Sequence, residues 1–193
     1  MPGYVNKSAT DIGGVLSTRA VRNVGDSEQL LYTATKKSVV SGLQVANRTG
    51  GILPISVYVK KSVTASVSNK ALTSNVATLT TSAVHNLFAG DSVVISGIDG
   101  TFNGTYTITS VPTTTTFRYA KTNSNISSTA VSPVGSAAAD SIFYLAKDIR
   151  VENGAKLEII QNPFSIVATD RLYAISGVEN AFDVVLSVQE GAN

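Results

Sequence analysis

Cysteine is absent from this chain of 193 residues. Its absence excludes disulfide bridges, thiolate metal ligands and cysteine nucleophiles. Tryptophan is also absent, and histidine occurs once, as His85, so a histidine-dependent triad or metal site has a single candidate residue. We therefore expect stability to come from packing and strand pairing, and we expect no metal site and no cofactor.

Charge is scarce as well. Charged residues make up 15% of the chain, against roughly 25% in ordinary soluble domains. The net charge of +2 is too small to attract a polyanion by its field alone, so nucleic acid is not an expected partner. No apolar run approaches the ~20 residues of a membrane span, and residues 1–14 lack a signal-peptide pattern. We expect a protein that folds in a cytoplasm and does not contact a membrane.

What the chain does contain is a repeated alternation of apolar and polar residues. Val, Ile, Thr, Tyr and Phe recur with period two, which indicates half-buried β-strands, and no segment has the period of an amphipathic helix. The sequence therefore predicts an all-β protein. Outside the central region, strands are predicted at residues 29–35, 40–47, 55–60, 141–151, 155–161, 171–177 and 182–190.

Two turn-rich links predict hairpins between these strands. Residues 48–54 join the strands at 40–47 and 55–60. Asn153-Gly154 supplies the positive φ that a tight turn needs, so the strand ending at Val151 is predicted to pair with the strand beginning near Ala155.

The composition changes abruptly over residues 62–139, where Thr, Ser, Val and Ala dominate. This change marks a second module, with strands predicted at residues 76–81, 92–97, 104–111, 115–121 and 127–134. Such a set of strands can enclose a thin core, which favours a small β-sandwich or barrel.

The two modules are predicted to be related by insertion. If the strands at 54–61 and 141–151 are neighbours, a domain fits between them at little entropic cost. We expect a discontinuous host β-sandwich (residues 26–65 and 139–193) with a small β-sandwich or barrel inserted in a strand-to-strand loop (66–138). Small residues at 66–68 and 136–139 are the predicted hinges, and residues 1–25 are the predicted extended arm, or a strand completed by a partner.

The inserted segment resembles a small β module of phage virion proteins. The matching stretches are TSAVHNLFAGDSVVISG (81–97), GTFNGTYTI (100–108) and TFRY (116–119). They follow the pattern H-x-L-x-x-G-D-x-V-x-I-S-G, then F-N-G-T-Y-x-I, then T-F-x-Y. The host portion is more loosely similar to β-sandwich proteins of phage heads, necks and tails, through VAN (45–47), ISVYV (55–59), VENGAKLE (151–158) and VVLSV (184–188).

The resemblance implies a structural component of a tailed-bacteriophage virion, assembled in the bacterial host cytoplasm. The host β-sandwich would dock on capsid, neck or tail proteins, as capsid decoration proteins do, and the inserted domain would project outward. A homo-oligomer is expected, because virions are symmetric. The alternative is a surface-displayed carbohydrate-binding or adhesin module, with a host-surface glycan as the partner.

Residues that could carry chemistry are few, and we expect no enzyme. His85 is expected to satisfy nearby backbone groups, and Asp91 and Asp99, each beside a glycine, are expected to form turns. A glycan-degrading enzyme would need paired carboxylates, and in the insert these two are the candidates. Tyr58 and Lys60 are the candidate subunit-contact residues, because their alternation places them with Ser56 on the less apolar strand face.

Overall fold

The computed structural model describes residues 15–191, and in this part the chain is all-β with two sheets. Strands 182–190 and 76–81 have the bounds that their alternation predicted. The strands are β1 (Val15–Val24), β2 (Gln29–Thr33), β3 (Ser38–Asn47), β4 (Leu53–Thr73), β5 (Val76–Thr81), β6 (Ser92–Ser96), β7 (Gly104–Thr113), β8 (Thr116–Ala120), β9 (Ile126–Val151), β10 (Lys156–Ile160), β11 (Phe164–Ile166), β12 (Arg171–Ser176) and β13 (Phe182–Glu190).

The described residues divide into two compact units, residues 15–60 with 143–191 and residues 61–142. The first is called here the discontinuous unit and the second the central unit. Strands β4 and β9 each run through one of the two boundaries.

In the discontinuous unit, one sheet has the order β1-β13-β3-β10, with β11 also paired to β3, and the other sheet contributes β2-β12-β4. Successive strands alternate between the two sheets from β1 to β4 and again from β12 to β13. Apolar side chains of both sheets share one buried cluster, because each strand turns its apolar residues to the same side. Its members include Leu43, Val45, Ile55, Val57, Leu172, Val184 and Leu186.

Both predicted hairpins are wrong. Strand β3 pairs with β13, β10 and β11, whereas β4 pairs with β12, so the link at 48–54 connects two different sheets. Residues 152–155 do form the predicted turn, with Ala155 N–H donating to the carbonyl of Glu152 at 3.1 Å. The strands on its two sides then separate, since β10 joins β3 and β9 joins the sheet of β4.

The central unit has the strand order β4-β5-β8-β7-β6-β9. Within this unit β9 also contacts β4, because Ser62 Oγ donates to Asp140 Oδ1 at 2.8 Å and Ser128 Oγ donates to Asn69 Oδ1 at 2.9 Å. A second buried cluster fills the unit and is richer in aromatic rings. It includes Leu72, Leu79, Val93, Ile95, Phe102, Ile108, Phe117 and Tyr119.

The two predicted hinges lie inside strands, which corrects their interpretation. Val67 is fully buried in β4, and Ala137 is fully buried in β9 opposite Ile95 of β6. Small side chains at 136–139 therefore let β9 pack closely in the core, and they do not mark a flexible link.

The predicted arm, residues 1–25, differs from its expectation where it is described. Residues 15–24 form β1, which pairs with β13 from Val15 opposite Glu190 to Val24 opposite Phe182. Periodicity is weak here because both faces of β1 are largely exposed, and Val15 is 71% exposed. The rest of the arm, residues 1–14, lies outside the described residues.

Candidate functional site

Tyr58 lies in the middle of β4, and its ring is only 3% exposed. It is directly opposite Tyr173 of β12, and the two rings stack with centroids 5.8 Å apart. The ring of Tyr144, on β9, packs against Tyr58 at 5.4 Å in a tilted arrangement. At Tyr58, strand β4 is therefore covered on both faces, by the core on one side and by the rings of Tyr144 and Tyr173 on the other.

This placement corrects the sequence expectation for Tyr58, whose ring is already occupied within its own chain. The alternation was interpreted correctly in that Tyr58 points away from the core of the discontinuous unit. What the alternation could not reveal is that Tyr144 and Tyr173, remote in sequence, cover that face. The solvent-exposed surface on this face is therefore the covering layer, since Tyr144 is 50% exposed.

Glu28 holds the polar side of this aromatic cluster. Its Oε1 accepts a hydrogen bond from the Tyr58 hydroxyl at 2.7 Å, and its Oε2 accepts one from Lys60 Nζ at 2.6 Å. Lys60 Nζ also lies 4.9 Å from the centre of the Tyr173 ring, a distance suited to a cation–π contact. Lys60, the second candidate contact residue, is thus engaged in an intrachain ion pair.

The surroundings raise the pKa of the Tyr58 hydroxyl above its ordinary value. Burial is the main cause, because it disfavours the phenolate, and the negative carboxylate of Glu28 that accepts its hydrogen bond adds to the effect. Tyr58 is therefore a neutral donor at physiological pH, with a structural role.

Next to this cluster, β9 exposes apolar side chains on both of its faces. Phe143, Tyr144, Leu145 and Ile149 are each at least about one-third exposed, and Lys147 Nζ lies 5.2 Å from the Tyr144 ring centre. Neighbouring residues of a strand point to opposite sides, so three successive exposed residues mean that neither face of this segment is fully covered. We call residues 143–149 the exposed β9 segment.

A second candidate site lies in the central unit around His85. As predicted, the imidazole satisfies local backbone, with Nδ1 accepting from Leu87 N–H at 2.9 Å. The ring is buried and meets Phe117 edge to face at 5.5 Å. Within residues 15–191, Nε2 has no hydrogen-bond partner. The open pocket beside this ring, of about 430 Å³, was not foreseen from the sequence.

Asp91 and Asp99 form turns, as predicted. Asp91 Oδ2 accepts from Phe88 N–H at 2.9 Å and from Ser141 Oγ at 2.6 Å. Asp99 Oδ1 accepts from the backbone N–H of Thr101 at 2.8 Å. Both carboxylates are thus used to hold loops.

Burial works against the charge of Asp99, but its hydrogen bonds outweigh burial. Lys70 Nζ is hydrogen-bonded to Oδ2, and the backbone N–H groups of Thr101 and Phe102 point at Oδ1. Together they hold the pKa of the Asp99 carboxyl below its ordinary value.

No cluster of three or more potential metal-ligating side chains occurs among residues 15–191. In the same part of the chain, no helix of membrane-spanning length and hydropathy is found. No protein-family model matches the chain, and no curated protein matches its sequence.

Proposed function

We propose that this protein is a non-enzymatic structural component of a tailed-bacteriophage virion. In this proposal the discontinuous unit is a β-sandwich that docks on capsid, neck or tail proteins and on copies of itself. The central unit is a small β-sandwich or barrel inserted between β4 and β9 and projected outward. Particles would assemble in the bacterial host cytoplasm.

The observation that carries the proposal is the exposed β9 segment. Phe143, Tyr144 and Leu145 are three consecutive large residues that are each more than one-third exposed, with Tyr144 on one face of the strand and Phe143 and Leu145 on the other. Exposed apolar surface is typical of protein contact sites, because leaving it in water costs about 25 cal/mol per Å². A docking partner would cover it.

A second observation supports lateral assembly. Among the described strands β1 pairs only with β13, so it is an edge strand of its sheet. Edge strands readily accept a strand from another chain. Charged residues are few, which lowers the electrostatic repulsion between closely spaced copies.

The virion context rests on the sequence resemblance of residues 81–119, and the experiment must test it directly. Particles purified from a lysate of the host that encodes the chain would be analysed by mass spectrometry. We expect the chain in stoichiometric amounts. Its absence from particles, together with a purified protein that stays monomeric in analytical ultracentrifugation, would refute the proposal.

Variants can then assign the contact surface. The double substitution Phe143→Ser and Tyr144→Ser should reduce self-association or incorporation into particles at least about tenfold. Val178→Ser is the matched control, because Val178 is similarly exposed in the same unit but lies in a loop outside β9. Equal losses in both variants would count against the exposed β9 segment.

A further inference from the structure

The dipeptide Asn-Gly occurs twice in the sequence, at Asn103-Gly104 and at Asn153-Gly154. Both asparagines are exposed, and each lies in or directly beside a turn. Asn-Gly favours one reaction, the attack of the glycine backbone nitrogen on the amide carbon of the asparagine side chain, because glycine has no Cβ to shield that nitrogen. The two sites differ in how firmly the structure holds the asparagine.

Asn103 is held by hydrogen bonds on its side chain and on its backbone. Its Oδ1 accepts from Ile98 N–H at 3.0 Å, and its own N–H donates to the carbonyl of Asp99 at 2.9 Å. Its carbonyl accepts from the Tyr106 hydroxyl at 3.0 Å, and Gly104 begins strand β7, where it pairs with β6. Closing a ring requires the side chain and backbone of Asn103 to rotate together, and these bonds resist that rotation.

Asn153 lies in the turn between β9 and β10, where the hydrogen bond across the turn joins its neighbours, from Ala155 N–H to the carbonyl of Glu152. Among residues 15–191, no hydrogen bond holds the Asn153 side chain or the Gly154 N–H. A Cβ built on Gly154 would meet no atom within 4 Å, so the space around this residue is open. The attacking nitrogen and the amide carbon are therefore both free to meet.

We infer that Asn153 is a site of spontaneous deamidation, whereas Asn103 is protected by its hydrogen bonds. The Gly154 nitrogen, after losing its proton to hydroxide, forms a bond to Asn153 Cγ. The side-chain nitrogen takes a proton from water and leaves as ammonia, which gives a succinimide ring. A second water molecule opens the ring to aspartate or isoaspartate, so the net reaction consumes one water and releases one ammonia without an oxidant.

The product changes the turn in two ways. Either form places a new negative charge beside Glu152, in a chain whose net charge is only +2. Isoaspartate also adds one backbone atom to the turn that the bond from Ala155 N–H to the Glu152 carbonyl closes. The inference goes beyond the proposed function, because it assigns a modification site to the discontinuous unit whichever part of a particle the chain occupies.

Peptide mapping by mass spectrometry tests the inference on the full chain, by following the fraction of each asparagine converted during incubation at 37 °C and pH 8. We expect Asn153 to react at least about tenfold faster than Asn103, because a held side chain must first be released. The rate at Asn153 should be lower at pH 6, since the attack needs the Gly154 nitrogen without its proton. Asn153→Gln, whose longer side chain would have to close a six-membered ring, should abolish conversion at residue 153 and leave the rate at Asn103 unchanged.

Unfolding in urea provides the matched control, because it removes the hydrogen bonds and keeps both Asn-Gly sequences. In urea the rates at the two asparagines should agree within about threefold, since little structure remains to separate them. Equal rates in the folded protein, or a faster rate at Asn103, would overturn the inference. A difference as large in urea as in the folded protein would also overturn it, because the flanking residues and not the fold would then set the rates. None of these results bears on incorporation into particles, which the mass spectrometry of virions measures separately.

Discussion

The hydroxyl of Tyr58 donates a hydrogen bond of 2.7 Å to the carboxylate of Glu28, thirty residues earlier in the chain. The same carboxylate binds Lys60, so one acidic side chain joins the loop before β2 to the outer face of β4. The contact explains why a tyrosine occupies a strand position that is covered on both faces. Its ring packs against Tyr144 and Tyr173, and its hydroxyl still reaches an acceptor.

Replacing Tyr58 by phenylalanine should lower the free energy of unfolding by about 1 kcal/mol at pH 7, the usual net contribution of one hydrogen bond. Urea denaturation of the two proteins measures the difference. Glu28→Gln serves as the second arm of a double-mutant cycle. If the losses of the two single variants simply add in the double variant, the hydrogen bond contributes nothing and this assignment fails.

The raised pKa of Tyr58 also predicts alkaline instability. In the unfolded chain the hydroxyl ionises near its ordinary value of 10.0, whereas in the folded chain it stays protonated. The unfolded state then binds fewer protons, so stability falls as the pH rises above about 10. The Tyr58→Phe protein should show a shallower decline between pH 10 and 11.5, measured by urea denaturation at constant ionic strength. An unchanged decline would contradict the prediction.

The lowered pKa of Asp99 predicts that the protein loses stability at acidic pH. Its folded-state pKa is lowered, so its stabilising effect is present above its ordinary value of 3.8 and is lost as the pH falls through the folded value. Asp99→Asn should cost about 1 kcal/mol at pH 7, a modest value because the side chain is partly exposed to solvent. The difference from the unsubstituted protein should shrink below pH 3.8.

Thermal unfolding followed by circular dichroism from pH 7 to pH 3 measures this convergence. Asp183→Asn is a suitable control, because its ion pair with Arg48 is long, at 3.4 Å, and exposed. That variant should differ from the unsubstituted protein by no more than about 0.5 kcal/mol at pH 7. A larger loss of stability in Asp183→Asn than in Asp99→Asn would contradict this prediction.

The bounds of β5 and β13 were predictable from the sequence because alternation is a local property. Residues 182–190 place Phe182, Val184, Leu186 and Val188 in the core, and the bounds of β13 follow from that pattern. The partners of each strand were not predictable. The turn at Asn153-Gly154 has the same residues whether the flanking strands pair with each other or enter different sheets, and contacts remote in sequence decide between these outcomes.

For the candidate sites, the sequence likewise predicted local contacts but not contacts between residues remote in the chain. His85, Asp91 and Asp99 act on backbone groups within three residues, so their roles could be inferred from neighbouring glycines and turns. Tyr58 was placed on the correct face of β4, yet its burial depends on Tyr144 and Tyr173. No local pattern identifies which remote rings will cover a strand.

At Gly25 the backbone is packed so closely that not even one methyl group can be added without a clash. A Cβ there would lie 2.9 Å from the backbone Cα of Glu179 and 3.0 Å from the backbone nitrogen of Asn180. Backbone atoms cannot rotate away, and the Gly25 carbonyl is itself bonded to Ser176 N–H at 2.7 Å. Gly25→Ala should therefore cost about 1–3 kcal/mol, measured by chemical denaturation.

Gly177→Ala is the matched control for Gly25. A Cβ at Gly177 meets no atom within 4 Å, so the same substitution should change stability by less than about 0.5 kcal/mol. If the two variants are equally stable, the loop that carries Glu179 and Asn180 can yield, and the close packing against Gly25 is not a constraint.

The hydrogen bond from Leu87 N–H to His85 Nδ1 gives a last prediction, about the wall of the pocket. His85→Leu puts an apolar side chain of moderate size in place of the imidazole and removes the acceptor, which leaves a buried N–H unpaired at a cost of about 1–3 kcal/mol. His85→Asn replaces Nδ1 by an amide oxygen at a similar distance from the backbone. Both variants lose the edge-to-face contact with Phe117, so overall stability alone cannot separate the two effects.

Hydrogen exchange at the Leu87 amide separates them, because it reports this bond directly. We expect exchange at least about tenfold faster in the His85→Leu protein and close to the unsubstituted rate in the His85→Asn protein. The Phe102 amide, held by Asp99 in another loop of the same unit, serves as the internal reference and should exchange alike in all three proteins. Equal acceleration of Leu87 in both variants would mean that ring packing, and not the acceptor atom, holds this loop in place.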